Sequence, residues 1–180
     1  MRRLLCLIMA VVMLSTAAFA ANACTTVAVG KDASDTGAVL VAHTCDGWYD
    51  HRIQIIEGGK HAAGEEVEIY GDPCTLTKSD VTLTGTIPQV EETYTMFNIG
   101  YPFMNEKGVV ISEFTWSGDY NNFYNGLGMF YIANLEYLGL QRAATAKECV
   151  EVMGALAEQY GYIDGGECLL VDTVGFIRKL

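Results

Sequence analysis

Apolar positions recur along the chain with two different periods. From Thr25 to Val29 β-branched residues alternate, Val39 to Thr44 is a second apolar run, and Lys31-Asp32-Ala33-Ser34-Asp35-Thr36-Gly37 between them has the composition of a turn. Period-two alternation on both sides of such a turn predicts a β-hairpin. Further strands are predicted at Arg52 to Glu57, Glu66 to Tyr70, Tyr94 to Ile99 and Val109 to Thr115, whereas Gly71 to Val90, Thr-rich with Pro73 and Pro88, is the least regular stretch. Past Phe130 the period becomes helical. A helix is predicted over Tyr131 to Arg142, with Leu135 and Leu138 on one face. Thr145 with Glu148 forms a capping box, and Ala146, Cys149, Val150, Met153, Leu156, Ala157 and Tyr160 make an apolar stripe that stops at Gly161. Glu167 to Val171 and Phe176 to Lys179 return to strand. Strands, two helices and strands again predict an α+β fold, with helices stacked on an antiparallel sheet. Leu180 closes the last hairpin arm with no turn after it, so an unpaired sheet edge is expected there, as in the first part of a longer protein.

The amino-terminal segment changes this picture. Arg2 and Arg3 precede an apolar run from Leu4 to Leu14, and small residues follow as far as Ala23, the pattern of a secretory signal peptide over residues 1–23. That run is shorter than the roughly 20 apolar residues that span a bilayer, so no membrane span and a secreted location (periplasmic, extracellular or cell surface) are expected. Cleavage sites are offered by Ala18-Phe19-Ala20 and by Ala21-Asn22-Ala23, and the second leaves Cys24 as the first residue of the mature chain.

Composition narrows the function classes. A length of 180 residues fits one domain over residues 24–180, and 51% apolar against 18% charged residues fits a folded chain. Eleven basic against 22 acidic residues give a net charge of -11, with no basic patch, which excludes a nucleic-acid partner. Once Cys6 leaves with the signal, Cys24, Cys45, Cys74, Cys149 and Cys168 remain. That odd number, in an oxidising compartment, leaves one thiol over from two disulfides. The pair Cys149 and Cys168 is the first candidate for a bond, since a helix and the strand after it often pack together.

An amino-terminal cysteine carries a thiol and an α-amine on one residue. The amine titrates near about 7.7 to 8.0 and the thiol near about 8.5, so close to neutral pH the amine is able to take the thiol's proton. Nucleophile and base then arrive together, and the thiolate can attack an amide carbonyl if donors meet the developing oxyanion. A lipid-anchored cysteine of a surface binding module is the rival reading. His43, His51 and His61 share no tight ligand spacing, and no metal site is read from them.

The order of short motifs along the chain adds a family resemblance. Cys24-Thr25-Thr26-Val27-Ala28-Val29-Gly30 with Asp35-Thr36-Gly37 and His43-Thr44-Cys45-Asp46-Gly47, then Met104-Asn105-Glu106-Lys107-Gly108 running into Ser112-Glu113, then the helix of Arg142 to Tyr162 and Gly166-Glu167-Cys168, resemble the secreted C69-type dipeptidases of the N-terminal nucleophile (Ntn) hydrolase superfamily. The resemblance runs in order over about residues 24–179. It implies an αββα sandwich, incomplete at its carboxyl-terminal end because family members are longer, and a thioester mechanism on Cys24. It implies no metal or organic cofactor, a dipeptide or small amide as substrate, and a downstream polypeptide that completes the fold. Asp46 aligns with the aspartate that related acylases place beside the α-amine, and Asn105 with the superfamily's oxyanion asparagine. His43 stands where those relatives carry arginine. By their local sequence alone, Asp46 before Gly47 and Asn105 before Glu106-Lys107-Gly108 also read as turn residues. A catalytically incomplete fragment is the runner-up.

Overall fold

The computed structural model describes residues 24–45, 50, 52–71, 82–115, 128–163, 166–171 and 177–179. The expected signal segment 1–23, Asp46, His51 and Cys74 lie outside the described residues.

Thr25–Val29 (β1) and Leu40–Thr44 (β2) pair antiparallel, as their alternation predicts, around a single 3-10 turn at Lys31–Ala33. Small strands follow at Gln54–Ile56 (β3), Gly59–Lys60 (β4), Glu66–Tyr70 (β5), Leu83–Pro88 (β6) and Glu92–Thr93 (β7). Then come Met96–Ile99 (β8), Tyr101–Asn105 (β9), Val110–Thr115 (β10), helices Ile132–Arg142 (α1) and Ala146–Tyr160 (α2), Gly166–Val171 (β11) and Ile177–Lys179 (β12). The main sheet has six antiparallel strands in the order β12-β11-β10-β9-β8-β3, and β4 with β7 and β5 with β6 form separate ribbons. The fold is mixed α+β.

Both helices pack on this sheet, α1 against β9 and β10 and α2 against β11 and β12. Ile111 from the sheet, Phe130, Leu135, Leu138 and Met153 from the helical segment, and Ile69 and Ile87 from the β5-β6 ribbon meet in one buried core. The helices approach closely at Gly139, where an added Cβ would stand 2.8 Å from the Cys149 sulfur. Helix α2 begins as its sequence predicts: the Thr145 hydroxyl accepts the Glu148 amide at 3.2 Å, and the Glu148 carboxylate accepts the Thr145 amide. It ends at Gly161, whose φ of 84° disfavours any side chain.

The disulfide expectation is corrected. Cys149 is a free, fully buried thiol, turned by its place in the apolar stripe toward Gly139 and Met153. Burial pushes its thiol up to about 12, with the Glu136 carboxylate adding to the shift.

Candidate active site

The β1-β2 hairpin presents two different faces. Its register places Thr26 opposite His43 and Thr25 opposite Thr44. Because side chains alternate along a strand, Cys24, Thr26 and Ala28 share a face with His43 and Val41, and these are the half-buried positions. Thr25, Val27, Leu40 and Thr44 form the exposed face.

The half-buried face lies against β10. The Thr26 and Ser112 hydroxyls share a hydrogen bond of 2.6 Å, which ties the hairpin to the main sheet. Next to Ser112 is Glu113, only 2% exposed. A Cys24 sulfur, a His43 ring nitrogen and a Glu113 carboxylate oxygen all lie within 4.8 Å of one another. This is the one group of three or more metal-competent side chains among the described residues. Beside it opens a pocket of about 250 Å³ walled by His43, Cys45, Ile99, Tyr101 and Phe103. The arrangement offers a nucleophile, an imidazole that can carry a proton, and a buried carboxylate to favour the imidazolium, next to a recess with apolar and aromatic walls.

Of the residues singled out by sequence, Cys24 is one of the three members of this cluster. His43, whose role the resemblance left open, stands beside it. Asp46 lies outside the described residues.

Asn105 stands toward the other end of β10 from Glu113. Val110 pairs with Met104, so Asn105 occupies the turn end of the β9-β10 hairpin. Glu113 lies about 13 Å further along, at about 3.3 Å per residue. The Asn105 amide is also fully engaged. Its Nδ2 donates to the carbonyls of Leu140 and Ala143, both at 2.8 Å, and its Oδ1 accepts the amides of Lys107 at 3.1 Å and Val109 at 3.0 Å. Helix α1 ends at Arg142, leaving carboxyl-terminal carbonyls in need of donors. Asn105 supplies them at Leu140 and Ala143, while the Tyr94 amide supplies Gln141. The physical reason for these bonds is that a 2% exposed amide is committed to whichever polar groups are buried with it.

Glu113 is the residue that sequence reasoning passed over. The available signal was its setting in Val109-Val110-Ile111-Ser112-Glu113-Phe114, an acid within an apolar strand. Carboxylates are almost never fully buried without a partner or a task.

A family model described as peptidase family C69 matches residues 23–174. No curated protein matches the sequence.

Proposed function

The chain belongs to peptidase family C69, and from that premise we propose that it is a secreted cysteine dipeptidase working through a thioester on Cys24. The observation that carries this reading is the convergence of Cys24, His43 and Glu113 beside the 250 Å³ pocket. Removal of residues 1–23 frees the Cys24 amine, which takes the thiol's proton. The thiolate attacks the scissile carbonyl carbon, the C–N bond breaks, and the proton leaves with the amine product. Water then opens the thioester, releasing the acid and restoring the thiol. Asp46 is assigned to hold the α-amine, as its alignment implies. Asn105 is given no part in oxyanion binding.

The αββα sandwich belongs to the same reading. The β1-β2 hairpin begins the second sheet, and Val27 and Leu40, about half exposed on its outer face, are positions that a further layer from a downstream polypeptide covers. The substrate reading rests on the resemblance to the C69-type dipeptidases, and the pocket of about 250 Å³ beside His43 has room for a short peptide.

The position of His43 favours a second assignment of the base. An imidazole supported by the Glu113 carboxylate can itself accept the Cys24 proton. Chain beginning at Cys24 is assayed on a panel of dipeptides, with its amine free and with the amine acetylated. Turnover is expected from the free-amine form and to vanish in Cys24→Ala. Loss on acetylation assigns the base to the amine, whereas retained turnover assigns it to His43. Turnover that survives Cys24→Ala would refute the nucleophile in either version.

A further inference from the structure

We propose that Cys24, His43 and Glu113 form a binding site for a zinc-class divalent cation, which captures the nucleophile as a metal thiolate and arrests it reversibly. Thiolate, imidazole and carboxylate are the three donor types that hold zinc, and three protein ligands with one open position are a common zinc arrangement. Tetrahedral coordination at about 2.0 to 2.3 Å from metal to ligand puts ligand atoms about 3.4 to 3.6 Å apart. The three atoms already lie within 4.8 Å of one another, so closure by little more than about 1 Å completes the site.

The fold has already fixed most of what binding must fix. Cys24 and His43 share a hairpin face through the Thr26 to His43 register. Glu113 is 2% exposed on β10, next to the Ser112 hydroxyl that anchors that hairpin, so its carboxylate has little freedom left to lose. The half-buried Cys24 and His43, together with the pocket that His43 lines, give the ion a route from solvent. A divalent charge also offsets the repulsion between a thiolate and a carboxylate brought together in a low-dielectric setting.

Binding displaces the thiol's proton to solvent, and the sulfur lone pair that would attack a carbonyl is instead donated to the metal. In chain cut before Cys24, the α-amine closes a five-membered chelate ring as a fourth ligand. That ligand, and the arrest of turnover, rest on the dipeptidase reading, whereas the three side-chain ligands do not. The donors come from positions 24, 43 and 113, and for that reason no local spacing in the sequence announces the site.

The test is a titration of the full chain, under non-chelating reducing conditions, with Zn²⁺ by calorimetry and with Co²⁺ by absorption. One ion per chain is expected, with a thiolate-to-cobalt charge-transfer band. The near-isosteric Cys24→Ser should remove the band, and Cys45→Ser and His61→Ala should leave it. Glu113→Gln and His43→Ala should each weaken Zn²⁺ by at least about 10-fold, the loss that even an outer-shell change brings. No charge-transfer band in the unmodified chain, or a band that survives Cys24→Ser, overturns the site. So does a Zn²⁺ affinity unmoved by both Glu113→Gln and His43→Ala. Circular dichroism of each variant separates lost ligation from lost folding. In parallel, dipeptide turnover by chain beginning at Cys24 should fall with Zn²⁺ and return with a chelator. Zinc binding without any turnover would defeat the peptidase reading alone, and turnover without zinc binding would defeat the metal site alone.

Discussion

Replacing Asn105 by alanine separates two roles that the same residue type can play. As an oxyanion donor it would lose about 10²- to 10³-fold in turnover and leave stability nearly unchanged. The structure leads to a different expectation: stability falls, and turnover falls only as far as β10 loosens with it. The substitution strands the carbonyls of Leu140 and Ala143 and the amide of the fully buried Val109, while the exposed Lys107 amide can turn to water. Each stranded buried group costs about 1–3 kcal/mol, and three neighbouring groups that relax together give about 3–5 kcal/mol. With a urea slope near 2 kcal/mol/M, that moves the unfolding midpoint down by about 2 M. It is also a large part of the roughly 5–15 kcal/mol that holds a domain of this kind folded. The assay is urea unfolding followed by circular dichroism, run beside dipeptide turnover corrected for the folded fraction. Asn105→Asp supplies an internal control. It keeps the Oδ1 acceptor but sets a carboxylate oxygen against two carbonyl oxygens, so it should be at least as destabilising at pH 7 and recover in part when protonated. A variant Asn105→Ala with an unchanged midpoint and turnover reduced by 10²-fold or more would refute the structural role.

Three further outcomes follow from single residues. In native chain Cys149 should resist iodoacetamide while Cys24 reacts, because burial pushes the Cys149 thiol up to about 12; mass mapping that finds Cys149 alkylated as fast as Cys24 would contradict this. Gly139→Ala should destabilise by about 1–3 kcal/mol despite alanine's better helix propensity, since its Cβ would stand 2.8 Å from the Cys149 Sγ and 2.9 Å from the Met153 Cγ; a raised urea midpoint would show that the helices can separate at no cost. Hydrogen bonds from the Arg52 side chain and then its backbone hold the Asp50 carboxyl down to about 2 from 3.8, so the stabilisation is fully present above pH 3.8 and is lost as pH falls through about 2; Arg52→Ala should return the titration toward 3.8, and an NMR titration that stays near 2 would refute the pairing.

Legibility in the sequence followed how local the deciding interaction was. Helix α2 could be read closely because its cap, stripe and Gly161 stop all lie within its own 17-residue window from Thr145 to Gly161. The β1-β2 hairpin was equally plain, since alternation and turn composition agree there. Strand β9 was missed: Pro102 argues against a strand, yet it is accommodated where the β8-β9 register shifts between Phe97 and Asn98. Strand β6 lies inside Gly71 to Val90, where Pro73 and Pro88 interrupt the pattern, and its pairing with β5 is set by the burial of Ile69 and Ile87 in the common core. At the site, the sequence singles out Cys24 by its special address, whereas His43 shows there only as a departure from an arginine, and it is the hairpin register that sets it beside Cys24. Glu113 was not legible, since its approach depends on packing between segments about 70 to 90 residues apart. Asn105 shows the converse: its side chain has oxyanion chemistry, but the end of a helix claims both of its donors.

The site therefore sits on a seam between a two-stranded hairpin and a six-stranded sheet. The hairpin alone fixes Cys24 relative to His43, and β10 alone fixes Glu113. The Thr26 to Ser112 hydrogen bond joins them, two residues after Cys24 and one before Glu113. Since misplacement of reacting groups by about 1 Å can cost 10²-fold in rate, the proposed mechanism depends on the rigidity of β10 as much as on the proposed nucleophile. That rigidity comes from the helices packed on the sheet, and Asn105 is the bolt between the end of α1 and the turn that leads into β10. A loosened Asn105 would thus reach Glu113 through the strand without ever touching substrate. Turnover measured alone would mistake such a change for the loss of an oxyanion donor, and only the unfolding midpoint measured beside it tells the two apart.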